Sequence, residues 1–475
     1  MEIMKRRLLI PCLSLLLCNC TGKKQMIVDE INDSTTPLHL IAPDYETPYG
    51  ELSVEQIRKD IERIFLYIDS VTPARVVDAN GKELKDLREL PDDAKLNQGT
   101  YRLTSYEWGV TYMALLRASE VLKDKSYKDY VIDRIGFLAE SAPFFSEQAK
   151  RTGKHDGQMR QVIAPKSLDD AGAMSGALML TAMADSSLNL SGIIENHYDI
   201  VVNKTYRLAD GTFARNRPHH NSVWLDDMFM ALPAMAIRSV YSNEAEQLDE
   251  AARIATQFID RMWIPEKNIF RHGYVEGLKD EPSMAWGRAN GWAILTMCQL
   301  LDYLPENHLW RDKILSTLRS HIKGLASLQG KNGFWHQLLD RNDSYEETSA
   351  TAIFVYCIAH AINEGWVDAT VYGPVAHLGW EALSTKIDEH GQLKDVCVGT
   401  GMGFDPAFYY YRPVSVKAAH GYGPVILAGV EMVRLLETYY PRMNDSGMHY
   451  YPADPETNVP IFNLDANGKA QEVLH

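Results

Sequence analysis

The chain of 475 residues is poor in the features that mark the commonest chemistries. It has six cysteines and no CxxC pair, which argues against a disulfide scaffold and against a thiolate zinc site. No HExxH, GxSxG or P-loop pattern occurs, so the usual metalloprotease, serine hydrolase and nucleotide-binding signatures are missing. A basic excess is also missing. Lys plus Arg number 48 against 63 Asp plus Glu, a net charge of -15. Nucleic-acid binding needs a basic stripe, so that class is excluded. An anionic ligand would have to be held by a few local Arg or His residues, because the global field does not attract it. Convincing period-2 strand patterns are absent. With 31 Gly, 21 Pro and 45% hydrophobic residues, the composition is that of an ordinary globular chain.

Long apolar runs are equally scarce, and none reaches the roughly 20 residues that span a bilayer. Leu8 to Leu17 is a run of ten residues behind Lys5, Arg6 and Arg7, the pattern of a signal peptide. Leu17-Cys18-Asn19-Cys20 resembles a bacterial lipobox. We therefore expect an exported bacterial protein, periplasmic or at the cell surface, lipidated at Cys20 and touching the membrane only through that lipid. Residues 1–20 are read as the signal segment, 21–50 as a linker, 51–440 as the folded domain and 441–475 as a tail. Cys298, Cys357 and Cys397 read as small buried hydrophobes.

What the domain does contain is a repeat. Apolar residues recur at helical spacing in 54–68, 108–122, 171–183, 228–240, 251–262, 291–304, 311–328, 349–363, 375–384 and 424–439. Similar short turns lie between them: Asp210-Gly-Thr-Phe213, Lys267-Asn-Ile-Phe270, Asn332-Gly-Phe334 and His390-Gly-Gln-Leu393. Polar, aromatic-rich clusters follow, centred on Tyr106, Asp169, Asp226, Arg288, Thr348 and His420 at spacings of 63, 57, 62, 60 and 72. Six clusters at this period predict six helical hairpins, each with one all-apolar and one amphipathic helix. An all-α (α/α)6 barrel follows. Every cluster begins an inner helix, so all six open at one mouth. An open α-solenoid is the alternative, but it has no need of so many Trp, His, Arg and Asp residues at one edge.

The rim supplies candidate groups. Asp226 and Asp227 head one inner helix behind Trp224, and Asp169 and Asp170 head the preceding one. Adjacent helical residues point about 100° apart, so one carboxylate of each pair faces the pocket and the other serves the helix terminus. In AWGRANGWAILTM, Arg288 offers a guanidinium fork for a carboxylate, and Trp286 and Trp292 offer flat faces for a sugar ring. His272, His336 and His420 lie in loops, each alone more simply read as structural; no metal site is expected from them.

WLDDMFMALP, WGRANGW, EETSATAIFVYCIAHAINEGW and HGYGPVILAGVEM resemble the signature segments of glycoside hydrolase family 105, to which family 88 is related. The resemblance covers roughly residues 53 to 440. It implies an (α/α)6 barrel without cofactor or metal, and removal of a 4,5-unsaturated uronic acid from the nonreducing end of lyase-generated oligosaccharides of rhamnogalacturonan type. It makes Asp226 the catalytic acid/base and Asp169 the second pocket carboxylate. Arg288 and Trp292 would hold the uronate, His272 would line the pocket, and Tyr106 would touch substrate. Arg215 stands where the family commonly has His, an extra cation that suits an additional or differently placed anionic group. The chemistry implied is hydration of a vinyl ether: a neutral Asp226, its pKa raised by the pocket, protonates carbon 4, and water enters at carbon 5. Open alternatives are an inverting glycosidase using Asp169 and Asp226 as separate acid and base, a sugar 2-epimerase, and a non-catalytic surface lipoprotein that binds carbohydrate on Trp286 and Trp292.

Overall fold

The structure is a computed structural model that describes residues 47–279, 283–444 and 447–452, and the backbone of 463–464 and 470–471. The expected signal segment, Cys20 and most of the linker lie outside the described residues.

Two rings of helices carry the architecture. The inner ring comprises α2 (Tyr106–Leu122), α4 (Leu168–Ala184), α6 (Asp226–Tyr241), α8 (Gly287–Tyr303), α10 (Thr348–Asn363) and α12 (Tyr422–Thr438). Outside them lie α1 (Val54–Val71), α3 (Lys125–Thr152), α5 (Ser191–Asp199), α7 (Ala245–Met262), α9 (Arg311–Ser327) and α11 (Ala369–Ser384). Each inner helix packs on the next, and α12 packs back on α2. The ring is closed. The first helix of the chain, α1, serves as the outer partner of the last, α12. The six predicted clusters stand at the six inner-helix starts, as the repeat required.

Sequence explains which helix goes where. In α10 every residue from Thr348 to Ile362 is buried, so no polar face is needed. In α7 only a stripe is buried, including Ala251, Ile254, Ala255, Phe258 and Met262, and the other face carries the charges. Full burial of each large apolar side chain is worth about 1.5–3 kcal/mol, so the inner ring dominates the cohesion. The inner helices approach so closely that some positions exclude a side chain. A Cβ at Gly172 of α4 would lie 1.6 Å from the Met230 carbonyl oxygen of α6. At the mouth, Ser105 and Ser167 cap α2 and α4, and Glu347 caps α10.

Three elements escaped the helical periodicity. Helix α3 runs 28 residues through Pro143, which breaks the pattern without ending the helix. Helix α5 has only nine residues before a wider turn over Ile200–Lys204. The third is a β-hairpin, Tyr439–Asn444 with Gly447–Pro452, where a tail was expected. Its Tyr450 is fully buried. The His377 imidazole of α11 lies 2.8 Å from Tyr450 Oη and 2.8 Å from the Gly50 carbonyl, so both ends of the domain meet on one outer helix. The packed unit therefore reaches 452.

At the other end of the barrel from the clusters, Glu431 of α12 closes the ring. Its carboxylate accepts from Arg117 of α2 at 3.2 Å and from Asn363 of α10 at 2.9 Å, pairs with Arg434 at 2.7 Å, and lies 3.4 Å from His360 of α10. Burial alone would raise this carboxyl, but His360, Arg434 and Arg117 outweigh it and bring it down to about 2. A carboxyl lowered on folding contributes stability above its unfolded value near 4.5, lost as pH falls through the folded value. Wild-type stability should therefore decline from about pH 4.5 toward pH 2 by on the order of 3 kcal/mol through this group. Glu431→Gln should be less stable at pH 7 and should flatten that decline. Equal slopes of melting temperature against pH in both proteins would remove Glu431 from this role.

Candidate active site

Short bridges between rim loops assemble the site from distant residues. Strand Ser222–Trp224 pairs antiparallel with Gly273–Val275, and Arg215 bridges to Ser222 on its other side. The Leu225 amide donates to the His272 carbonyl at 2.9 Å. These bonds bring Arg215, the head of α6 and His272 together. Trp224, 6% exposed, lies under two guanidinium groups, Arg215 at 4.5 Å and Arg217 at 4.8 Å from its ring centroid.

Both Asp-Asp pairs divide as helix geometry predicts. Asp169 and Asp226 face the mouth, while Asp170 and Asp227 lie in the first turns of their helices, the Lys166 amide donating to Asp170 at 2.9 Å. Each of these second acids is also claimed by an arginine. Asp170 takes both ends of Arg160, at 2.9 and 3.1 Å. Asp227, fully buried, takes Arg215 Nε at 2.9 Å and Nη2 at 2.5 Å. The same Arg215 grips Asp169 with a second pair of bonds, Nη1 at 3.0 Å and Nη2 at 2.7 Å. Arg215 is thus a cation clamped between two carboxylates.

Asp226 is differently held. Its Oδ2 lies 2.9 Å from His272 Nε2, and His272 Nδ1 lies 2.6 Å from Tyr409 Oη. Tyr409 in turn accepts from the Gly403 amide at 3.0 Å. His272 and Tyr409 are both buried. The result is a hydrogen-bonded chain running from the 403–409 loop to one carboxylate. Burial pushes the Asp226 carboxyl up, but His272 and Arg215 more than offset it and hold it below the ordinary carboxylate range. The expectation that the pocket by itself raises Asp226 is corrected here: two cationic or protonatable neighbours outweigh desolvation.

Tyr106 closes the opposite wall. Its hydroxyl lies 2.5 Å from His420 Nε2, which is 3.3 Å from Glu107 Oε1. Burial raises the Tyr106 phenol well above its usual range, helped by Glu107, so it stays neutral and can donate. Burial likewise lowers His420, with Arg288 adding to the effect, so its imidazole is neutral.

Two expectations in the WGRANGW segment need correction. Arg288 presents no free fork. It is 1% exposed and donates to the carbonyls of Cys397 at 2.8 Å and Val398 at 2.7 Å and to Ser349 Oγ at 3.1 Å. Its charge sits 3.9 Å from Glu347 and still acts on Tyr106 and Asp226. Nor do the tryptophans form an open platform. Trp292 stacks on Phe229 with centroids 4.7 Å apart, and Trp286 is covered by His272 and Arg288 while its indole N–H donates to Gln337. Both are buried wall, not exposed surface. His336 is held by the Ser344 carbonyl and stands apart from the Asp226 relay. Cys298, Cys357 and Cys397 are buried free thiols, as expected. Sequence reasoning did not single out Tyr409, Glu107, Arg217 or Glu347. Glu107 and Glu347 lie inside flagged clusters, but Tyr409 sits in a plain FYYYR run. Among the described residues no group of three His, Cys, Asp or Glu is placed to hold a metal ion.

Comparison with known proteins places the chain in a family. The unsaturated 3S-rhamnoglycuronyl hydrolase of Formosa agariphila is 25% identical over 227 residues, 45% of this chain and 58% of that protein. The chain therefore spans little more than half the length of that relative. The unsaturated rhamnogalacturonyl hydrolase YesR of Bacillus subtilis is 26% identical over 275 residues, 56% of this chain and 77% of that protein. The solved glycoside hydrolase from family 105 of C. acetobutylicum shares the fold, with a TM-score of 0.58 at 21% identity over 69% of this chain and 93% of its own. The model of Glycosyl Hydrolase Family 88 matches residues 67–436, most of the barrel, and the chain belongs to that family.

Proposed function

We propose that the protein removes a 4,5-unsaturated uronic acid from the nonreducing end of oligosaccharides left by polysaccharide lyases. The neighbouring sugar is proposed to be of the rhamnose-containing class, since the two relatives named above are rhamnoglycuronyl and rhamnogalacturonyl hydrolases by name. The observation that carries the reading is the asymmetry of the two pocket carboxylates. Asp226 ends a buried relay through His272 to Tyr409, whereas both oxygens of Asp169 are occupied by the Arg215 fork. One proton-handling carboxyl suits vinyl-ether hydration. A separate acid and base, as an inverting glycosidase needs, would leave Asp169 freer. The burial of Trp286 and Trp292 also weakens the reading as a passive sugar-binding platform.

In the proposed reaction Asp226 gives its proton to carbon 4 of the alkene, and positive charge develops at carbon 5. Water attacks carbon 5 and returns a proton to Asp226. The hemiketal so formed opens, and the bond to the neighbouring sugar breaks with it. Tyr106 donates a hydrogen bond at the pocket wall, and the buried Arg288 offsets the substrate carboxylate through its field. Asp226 is a carboxylate in the empty site at neutral pH, so it must be armed. The substrate's own carboxylate does this, because a like charge nearby raises the carboxyl. Run in heavy water, the reaction should place one deuterium on carbon 4 while the absorbance of the ene-carboxylate disappears. Release of sugar with the double bond intact would defeat the reading.

Two variants separate the neighbouring aspartates. Asp226→Asn should keep its melting temperature and lose about 10³-fold or more in kcat. Asp227→Asn uncovers buried Arg215 and should lose about 3–5 kcal/mol of stability while keeping measurable turnover. The reverse pattern would transfer the catalytic role to Asp227.

A pH profile tests the arming step. The profile of kcat/KM reports the free enzyme, where Asp226 is held low, and kcat reports the complex, where the substrate anion raises it. The descending limb of kcat should therefore lie at higher pH than that of kcat/KM. Coincident limbs would mean that substrate does not raise the acid.

Export with a lipid anchor at Cys20 is also proposed, from the signal segment and the Leu17 to Cys20 run. Palmitate should label the wild type and not Cys20→Ser. Persistent labelling would place the anchor elsewhere.

A further inference from the structure

A second cavity lies on the barrel axis, at the end away from the six clusters. Its volume is about 650 Å³, and all six inner helices contribute to its lining. The inner end is apolar and closed by Val110, Phe229 and Leu427, all buried. Phe229 stacks there on Trp292, the buried wall of the catalytic pocket. The outer end opens among the partly exposed side chains of Glu120, Asp302 and Glu364. Phe229 stands near the start of α6, whereas Glu364 directly follows α10. At 1.5 Å per residue that difference makes the cavity a well about 20 Å deep.

The charges in this lining are already matched. Arg117 pairs with Glu120 at 3.0 Å and Glu431 at 3.2 Å, His360 with Asp302 at 2.9 Å, and Glu364 with Arg434 at 3.0 Å. Among the described residues only Lys128, partly exposed on the outer helix α3, lines the well without an ion-pair partner. The neutral polar groups are not matched. Gln299 Oε1 is buried and has no hydrogen-bond partner among the described residues. The Tyr303 and Tyr356 hydroxyls also make no hydrogen bond there. Burial pushes the Tyr303 phenol up to about 12 and raises Tyr356 well above its usual range, so both remain neutral donors. A buried polar group left without a partner is costly, so a ligand that supplies one gains by it. An amide, two phenols and an apolar wall suit a ring that carries hydroxyls around C–H faces. We propose that the axial well is a second binding site, taking a neutral saccharide of one or two rings from the base of the barrel. The volume is within the range of small-molecule sites, about 300–1,000 Å³. The inference does not rest on the hydrolase reading, and its uncharged ligand differs from the uronate proposed for the mouth.

The test titrates the full chain with L-rhamnose, D-galactose and D-galactosamine, read by calorimetry and by saturation transfer to the sugar protons. At least one of the two neutral sugars should bind saturably in the millimolar range or tighter. Galactosamine, of the same shape but charged, should bind about fivefold or more weakly than galactose. Tyr356→Phe and Gln299→Leu each remove a group that has no partner in the structure, so their melting temperatures should not fall below wild type. Each should weaken the neutral sugar about fivefold or more. Asp226→Asn, at the mouth, should leave that affinity unchanged. Failure of both neutral sugars to bind, or galactosamine binding as tightly as galactose, overturns the site. So does an affinity that Asp226→Asn removes and the two well variants keep, which places the sugar at the mouth.

Discussion

Closure of the inner ring is the constraint on which the rest depends. Six helices that are apolar nearly all round cannot end at an open edge without exposing one of their faces to water. The chain meets this by packing α12 against α2, with Glu431 held by Arg117 from one neighbour and Asn363 from the other. Once the ring is shut, position around it is fixed by connectivity. Each inner helix runs in the same direction, so all six starts open at one mouth. Close approach reinforces this, because Gly172 leaves no room for a side chain against the Met230 backbone. A site drawn from Tyr106, Asp169, Asp226, Arg288 and His420 is a consequence of topology before it is a matter of chemistry.

Charge then differentiates positions that topology made equivalent. The two Asp-Asp pairs begin α4 and α6 at the same phase, and each gives its second carboxylate to an arginine. The first carboxylates part company because Arg215 reaches both Asp227 and Asp169. Asp169 is held by Arg215, and Asp226 is left to His272. A histidine at position 215 could not grip two carboxylates with five donors in a fork. Arg215 therefore sets the balance of charge between the two carboxylate pairs.

Much of this was legible in the sequence, and the reasons for the exceptions are physical. A period of about 60 residues is a property of hairpin length, so the ring, its count and its common mouth could be read from spacing. Helix α3 was hidden by Pro143, and the C-terminal hairpin by strands of six residues whose tyrosines stand in adjacent pairs and give no period-2 pattern. Within the site, residue type identified the participants but not their partners. Arg288 and Trp292 have the chemistry of sugar-binding groups, yet the Cys397 and Val398 carbonyls, more than 100 residues away in sequence, occupy the guanidinium, and Phe229 covers the indole. No local pattern reports a contact of that sequence separation. Tyr409 was missed for the same reason, since only the folded 403–409 loop brings it to His272.

The same electrostatics bears on the proposed acid, Asp226, which is ionised at rest. An isolated pocket that raised Asp226 by burial alone would hold a reactive proton permanently, with or without substrate. Here His272 and Arg215 keep the carboxyl low until something shifts the balance. The substrate class proposed for this site brings the required perturbation with it, a carboxylate conjugated to the bond that must be protonated. Its binding excludes water and adds a like charge, and both changes favour the neutral carboxyl. A neutral sugar of the same shape would supply the first change but not the second. Discrimination then lies partly in the chemistry, through protonation of Asp226, and not only in affinity. In the proposed reaction Arg288 need not serve as an exposed fork: buried against Cys397 and Val398, its charge still acts on Asp226 and Tyr106.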